Sequence, residues 1–141
     1  MTLMAMFRGA DVFKAGIAGA PVTLWELYDT HYTERYMGTP QSNPEGYKSA
    51  SVLEYTDGLE GQLMIYHGMA DDNVLFTHST RLYKALQDEA KVFEMMDYPG
   101  KKHSIRGKNT GIHLRRSMSA FFYRHLQLSS PDPSSANSTG N

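Results

Sequence analysis

No cysteine occurs among the 141 residues. That excludes a disulfide framework, a cysteine-ligated metal and a cysteine nucleophile, and it leaves the redox compartment open. Charge of one sign is missing too: 14 Lys and Arg stand against 15 Asp and Glu, a net charge of -1. Such a balance favours neither nucleic acid nor an anionic membrane, so neither is expected as a partner. No apolar run approaches the ~18 residues of a membrane span. The N-terminal run Met1 to Phe7 meets Arg8, Gly9 and Asp11 at once and has no leading basic segment. It lacks the form of a signal peptide and reads as a helix entered in mid-course. The six histidines never form His-x-x-x-His and have no cysteine to pair with, so no metal and no cofactor is expected.

What remains is ordinary globular material, with 40% hydrophobic and 21% charged residues, enough for one core. Met, Leu and Ala over residues 1–9 predict a helix that stops at Gly9. Lys14 to Ala20 is a short apolar run closed by Pro21, a buried strand whose small residues allow close packing on both faces. Residues 22–37 read as short aromatic-rich helices. Residues 39–51 hold Pro40, Asn43, Pro44 and Gly46 and read as loop with at most one helical turn. Gly61 to His67 is a second strand, and Phe76 to Glu89 an amphipathic helix with apolar residues at 76, 82, 83 and 86. Lys91 to Tyr98 is a third strand, ended by Pro99 and Gly100. A polar loop reaches Gly111, and residues 112–126 form a closing helix on Leu114, Met118, Phe121, Phe122 and Leu126. The tail over 129–141 is Ser, Pro, Asn and Gly and is expected to be disordered; its Asn137-Ser138-Thr139 is a glycosylation sequon by pattern. Strands alternating with helices predict an α/β fold with a parallel sheet, whose ligands bind at the carboxyl ends of the strands.

The loops at those ends carry the candidate chemistry. One reads His67-Gly68-Met69-Ala70-Asp71-Asp72-Asn73-Val74, the other Tyr98-Pro99-Gly100-Lys101-Lys102-His103-Ser104. If strand order follows the sequence, a carboxylate and an imidazole meet at one sheet edge, which suits a carboxylate that fixes the tautomer of a general-base histidine. Asp-Asp-Asn is equally common turn chemistry, and a loop histidine is usually solvated. Trp25, Tyr28, Tyr32 and Tyr36 fall at spacings of three, four and four, one helical stripe whose plain reading is a core-facing surface. Lys101, Lys102, Arg106 and Lys108 make a basic loop, read as solvated.

Ala18 to Val22, Trp25 to Asp29, Tyr32 to Gly38, the His67 to Val74 run and His103, in that order, resemble the dipeptidyl peptidase IV branch of the prolyl oligopeptidase family. The resemblance covers Met1 to about Leu126. It implies that residues 1–128 are the C-terminal portion of an α/β-hydrolase peptidase domain. It places the triad acid at Asp71 and the base at His103, in the chain order Ser, Asp, His. It assigns Tyr28 and Tyr32, with Trp25 and Val22 on the same wall, to the pocket for the proline ring before the scissile bond. Flat aromatic faces hold such a ring well. Asn73 would bind the substrate carbonyl and Val74 would add apolar surface.

The family's nucleophile sits in a Gly-Trp-Ser-Tyr-Gly-Gly-Tyr elbow, and no Gly-x-Ser-x-Gly occurs in this chain. The resemblance puts that serine roughly five residues before Met1. The implied activity is serine-type cleavage of dipeptides after proline or alanine, with the upstream part of the domain and a propeller domain as partners and a homodimer through the closing helix. A periplasmic or cell-envelope location fits the full-length protein. Two other readings stand beside it. One is an acylaminoacyl peptidase or esterase of the same fold, which the aromatic stripe with Asn73 disfavours. The other is a non-catalytic fragment or association-only subunit, which the absent serine favours.

Overall fold

The structure, a computed structural model, describes residues 1–127; the tail expected to be disordered lies outside them. Helix α1 is Thr2–Arg8, strand β1 Ala15–Gly19, and a 3₁₀ turn spans Trp25–Leu27. Helices α2 (Thr30–Met37) and α3 (Pro44–Ala50) follow, then a 3₁₀ helix over Val52–Gly58. Strand β2 is Gln62–Gly68, α4 Thr77–Asp88, β3 Glu94–Tyr98 and α5 Lys108–His125. The three strands are parallel in the order β1-β2-β3, with Ile17 opposite Met64 and His67 opposite Asp97. Sequential order brings the loops after β2 and β3 side by side.

Leu63 and Ile65 of β2 share one face of the sheet with Ala18, and there they meet Leu3, Met6 and Phe7 of α1 and Leu82, Tyr83 and Leu86 of α4. Each fully buried aliphatic side chain of that cluster contributes roughly 1.5–3 kcal/mol. Helix α5 runs along β3. Its His113 Nδ1 lies 3.0 Å from the Tyr98 hydroxyl, and near its other end Arg124 and His125 hold Glu94 at 2.8 and 3.0 Å.

The boundaries differ from expectation where local chemistry intervenes. Residues 44–50 make a full helix, because Asn43 caps it by accepting from the Gly46 N–H at 3.1 Å and Pro44 opens its first turn. Strand β3 starts at Glu94 rather than Lys91. Ala90 takes a left-handed φ of 52°, the Lys91 N–H closes α4 on the Leu86 carbonyl, and the Lys91 ammonium reaches back to the carbonyls of Asp57 and Leu59. Helix α5 begins before Gly111, since the break is at Gly107 with φ 120°. Only Phe121 of its predicted apolar face is buried, and Leu126 remains 42% exposed.

Candidate active site

Two loops are stitched into one unit at the carboxyl end of the sheet. Tyr98-Pro99-Gly100-Lys101 is a turn closed by the Lys101 N–H on the Tyr98 carbonyl at 3.2 Å, with Gly100 at φ 67°. The Met69 N–H donates to the Tyr98 carbonyl at 3.0 Å and the Ala70 N–H to the Lys101 carbonyl at 2.9 Å. Gly68 makes this approach possible: a Cβ there would lie 2.3 and 2.4 Å from the carbonyl oxygens of Lys101 and Lys102. The loop carrying His103 is thereby laid across the loop carrying Asp71.

The Asp71 side chain is fully shielded from solvent. Its Oδ1 accepts from the N–H groups of Asn73 at 2.9 Å and Val74 at 3.1 Å, which closes the turn. Its Oδ2 lies 2.9 Å from His103 Nδ1 and 3.0 Å from His67 Nε2. Burial pushes the Asp71 carboxyl up. The hydrogen bonds from Asn73, His103 and Val74, with the His103 charge, outweigh it and hold the group below the usual carboxylate range. The His103 side chain is 44% exposed, and its Nε2 has no hydrogen bond among the described residues. Such a pair fixes an imidazole as the Nδ1–H tautomer and leaves Nε2 to take a proton. Asp72 points elsewhere. It is exposed and pairs with the equally exposed Lys102 ammonium, a surface ion pair.

The aromatic residues come together, though not on one continuous helix. Trp25 lies in the 3₁₀ turn, Tyr28 is extended, and Asp29 caps α2 by accepting from the Tyr32 N–H at 3.3 Å. The rings still cluster: Trp25 stacks on Tyr32 at 6.2 Å, and Tyr28 meets both edge-on at 5.9 and 5.6 Å. Among the described residues the stripe faces outward, with Tyr32 50% and Tyr36 70% exposed. Trp25 separates two cavities. One of about 340 Å³ is lined by Val22 with Leu3, Ala18, Gly19 and Val52, the other of about 270 Å³ by Tyr32, Thr33, Tyr36 and Met37. The Tyr28 hydroxyl donates to Asn73 Oδ1 at 3.3 Å, joining the cluster to the Asp71 turn. Val74 is buried, with 3% exposure.

Sequence reasoning missed the polar groups beneath this surface. His67, His78 and Ser79 are wholly buried. His78 Nδ1 accepts from the Thr23 N–H at 3.2 Å, and the Thr23 hydroxyl donates to the His78 carbonyl at 3.0 Å, so α4 grips the segment that leads into Trp25. Desolvation lowers the His78 pKa, against the opposing influence of the Leu27 carbonyl. The signal was present in the sequence. His78 and Ser79 stand four residues before Leu82 and Tyr83, polar residues on the apolar face of α4.

The model of the prolyl oligopeptidase family matches residues 1–129. Human dipeptidyl peptidase 8 is 39% identical over 129 residues, 89% of this chain and 14% of that protein. Dipeptidyl peptidase 4 of Felis catus is 42% identical over 131 residues, 91% of this chain and 17% of that protein. The crystal structure of Porphyromonas gingivalis dipeptidyl peptidase 4 superposes with a TM-score of 0.86 at 45% identity, covering 89% of this chain and 18% of that one. The chain thus spans less than a fifth of the length of these relatives, and its sheet and helices are part of an α/β-hydrolase fold.

Proposed function

The chain belongs to the prolyl oligopeptidase family, and from that premise we propose that it supplies the acid and base of a serine dipeptidyl peptidase. His103 is the base and Asp71 the acid that orients it. The observation that carries this reading is the shielded Asp71 carboxylate, with Oδ2 2.9 Å from Nδ1 of a half-exposed histidine.

In this reading His103 Nε2 takes the proton of a serine hydroxyl as the oxygen attacks the peptide carbonyl. His103 keeps its Nδ1 proton hydrogen-bonded to Asp71, and the Asp71 carboxylate stabilises the imidazolium. His103 then protonates the leaving amine; in the second half it takes a proton from the water that attacks the acyl-enzyme and returns it to the serine oxygen as the acid product leaves. The serine is proposed to lie outside these residues, because no Gly-x-Ser-x-Gly occurs in them. Residues 1–128 would form part of the peptidase domain, completed by its remaining strands and a propeller domain. Trp25, Tyr28 and Tyr32 would hold a proline or alanine side chain before the scissile bond, with Val22 behind Trp25 and the buried Val74 backing that wall. The Tyr28 hydroxyl occupies Asn73 Oδ1, which supports the assignment of the Asn73 amide N–H₂ as the donor to the substrate carbonyl. The α5 face around Ile112 and Leu126, both about 40% exposed, is the candidate homodimer surface.

The test is complementation. The chain is co-expressed with an upstream fragment that ends in the elbow motif, and hydrolysis of a Gly-Pro reporter is measured. Cleavage sensitive to serine reagents is expected only in the mixture. Cleavage by the purified chain alone, abolished by His103→Ala, would refute the placement of the nucleophile.

A further inference from the structure

His67 closes β2 and is wholly buried, with its ring edge-on to Phe76 at 5.5 Å. It makes three polar contacts. Nε2 lies 2.8 Å from the Val74 carbonyl and 3.0 Å from Asp71 Oδ2, and Nδ1 lies 2.7 Å from Ser79 Oγ. The tautomer follows from hydrogen-bond chemistry. A carbonyl oxygen has no proton to give, so Nε2 carries the hydrogen and donates to both oxygens. In the neutral ring Nδ1 is then an acceptor, and the Ser79 hydroxyl donates to it. Ser79 belongs to α4 and is also wholly buried, so the ring is clamped from strand and helix together.

Asp71 Oδ2 therefore receives two imidazole donors of opposite character. The one from His67 is fixed in the core, while the one from His103 comes from a loop and is 44% exposed. Oδ1 is held by two backbone N–H groups. All four acceptor sites of the carboxylate are filled, three of them by buried His67 and the two backbone N–H groups of the turn.

We propose that His67, locked by Ser79, is a positioning residue: it pins the Asp71 carboxylate so that Oδ2 is already aimed at His103 Nδ1 before substrate arrives. The inference rests on the reading of Asp71 and His103 as acid and base. It adds a role for a histidine that never touches substrate. His67 shares its one N–H between the Val74 carbonyl and the same carboxylate oxygen that His103 uses, so it ties that oxygen to the core. Losing it leaves the plane of Asp71 set by the turn and by an exposed partner, and a misplacement of about 1 Å in such a site costs about 10²-fold in rate.

The test uses His67→Phe, His67→Gln and Ser79→Ala in the full-length polypeptide that supplies the serine. Gln keeps an amide N–H near the place of Nε2, and Phe keeps the ring without a donor. For His67→Phe the expected result is a loss of roughly 10–100-fold in kcat with KM within about twofold. Gln should recover most of that loss, and Ser79→Ala should lie between. The downfield proton resonance of His103 Nδ1–H on the carboxylate should weaken in the Phe variant and return in the Gln variant. This resonance is read without turnover, so it separates the two failures. An inactive parent with an intact resonance would reject the peptidase reading alone. Overturning the role of His67 takes either of two results: a folded Phe variant with unchanged kcat and resonance, or a Gln variant of parental thermal stability that is as slow as Phe.

Discussion

Asp71→Asn separates a functional carboxylate from a turn-forming one, and its cost follows from the four donors around it. Two backbone N–H groups meet one oxygen and two imidazole nitrogens meet the other. An amide has one acceptor oxygen. Placed at Oδ1 it preserves the turn, and its N–H₂ then faces His67 Nε2 and His103 Nδ1. His103 can answer by moving its own proton to Nε2, which removes the lone pair that would accept the serine proton in the proposed reaction. His67 can answer only by giving up its bond to the Val74 carbonyl. The structural cost is one buried group left unpaired, about 1–3 kcal/mol. The kinetic cost is that of the wrong tautomer, about 10⁴-fold in kcat, or about 5 kcal/mol at the barrier. The kinetic loss should therefore exceed the stability loss. Asp72→Asn removes only an exposed partner of Lys102 and should change kcat by less than about threefold. The assay is steady-state hydrolysis of a Gly-Pro reporter by the serine-containing full-length polypeptide, with thermal unfolding of each variant. Equal losses at positions 71 and 72 would refute the assignment, as would an Asp71→Asn enzyme whose kcat stays within about tenfold of its parent.

Three further outcomes are expected. Tyr28→Ala and Tyr32→Ala should each reduce kcat/KM for cleavage after proline by an amount equivalent to roughly 1–3 kcal/mol, with little change in melting temperature, since Tyr32 is half exposed; a sharp drop in melting temperature with proline selectivity intact would mark the cluster as core. Gly68→Ala must push the His103 loop away from the carbonyls it would strike. It should lower kcat by about 10²-fold and stability by roughly 1–3 kcal/mol, and parental kcat would show that the loops are not coupled at this glycine. The pKa values of His78 and Asp71 are both lowered in the folded chain, so each contributes stability above its unfolded value and loses it as pH falls. Stability measured by unfolding against pH should fall first below about pH 6.5, where unfolded His78 takes a proton, and again below about pH 4, where Asp71 does. The first step should vanish in His78→Asn, and its persistence would assign it to another histidine.

The sheet was legible because its signals are local. Apolar runs bounded by Gly and Pro mark three strands, and Pro99-Gly100 marks a turn that the positive φ of Gly100 realises. Boundaries set by contacts distant in sequence were not legible. Nothing near Lys91 announces that its ammonium will reach the carbonyls of Asp57 and Leu59, and residues 52–58 carry no helical period that would reveal a 3₁₀ helix. The aromatic spacing points to the right cluster through the wrong geometry: Asp29 interrupts the helix, and the rings converge across the break rather than along one face.

The site carries a sharper lesson about weighing a plain reading against a functional one. In sequence, Asp-Asp-Asn reads both as turn chemistry and as the source of a triad acid, and the two compete. In the structure Asp71 is the turn residue, since Oδ1 accepts the Asn73 and Val74 N–H groups. Those same bonds leave Oδ2 directed at His103 and His67. The turn thus fixes one oxygen of the carboxylate and leaves the other for the two imidazoles. The carboxylate is fully shielded, and its burial is tolerable because all four of its acceptor sites are filled. The histidine that fills the last of them, His67, stands four residues upstream at the end of a strand. In sequence it reads as part of the strand, because the need for it arises only once Asp71 is enclosed.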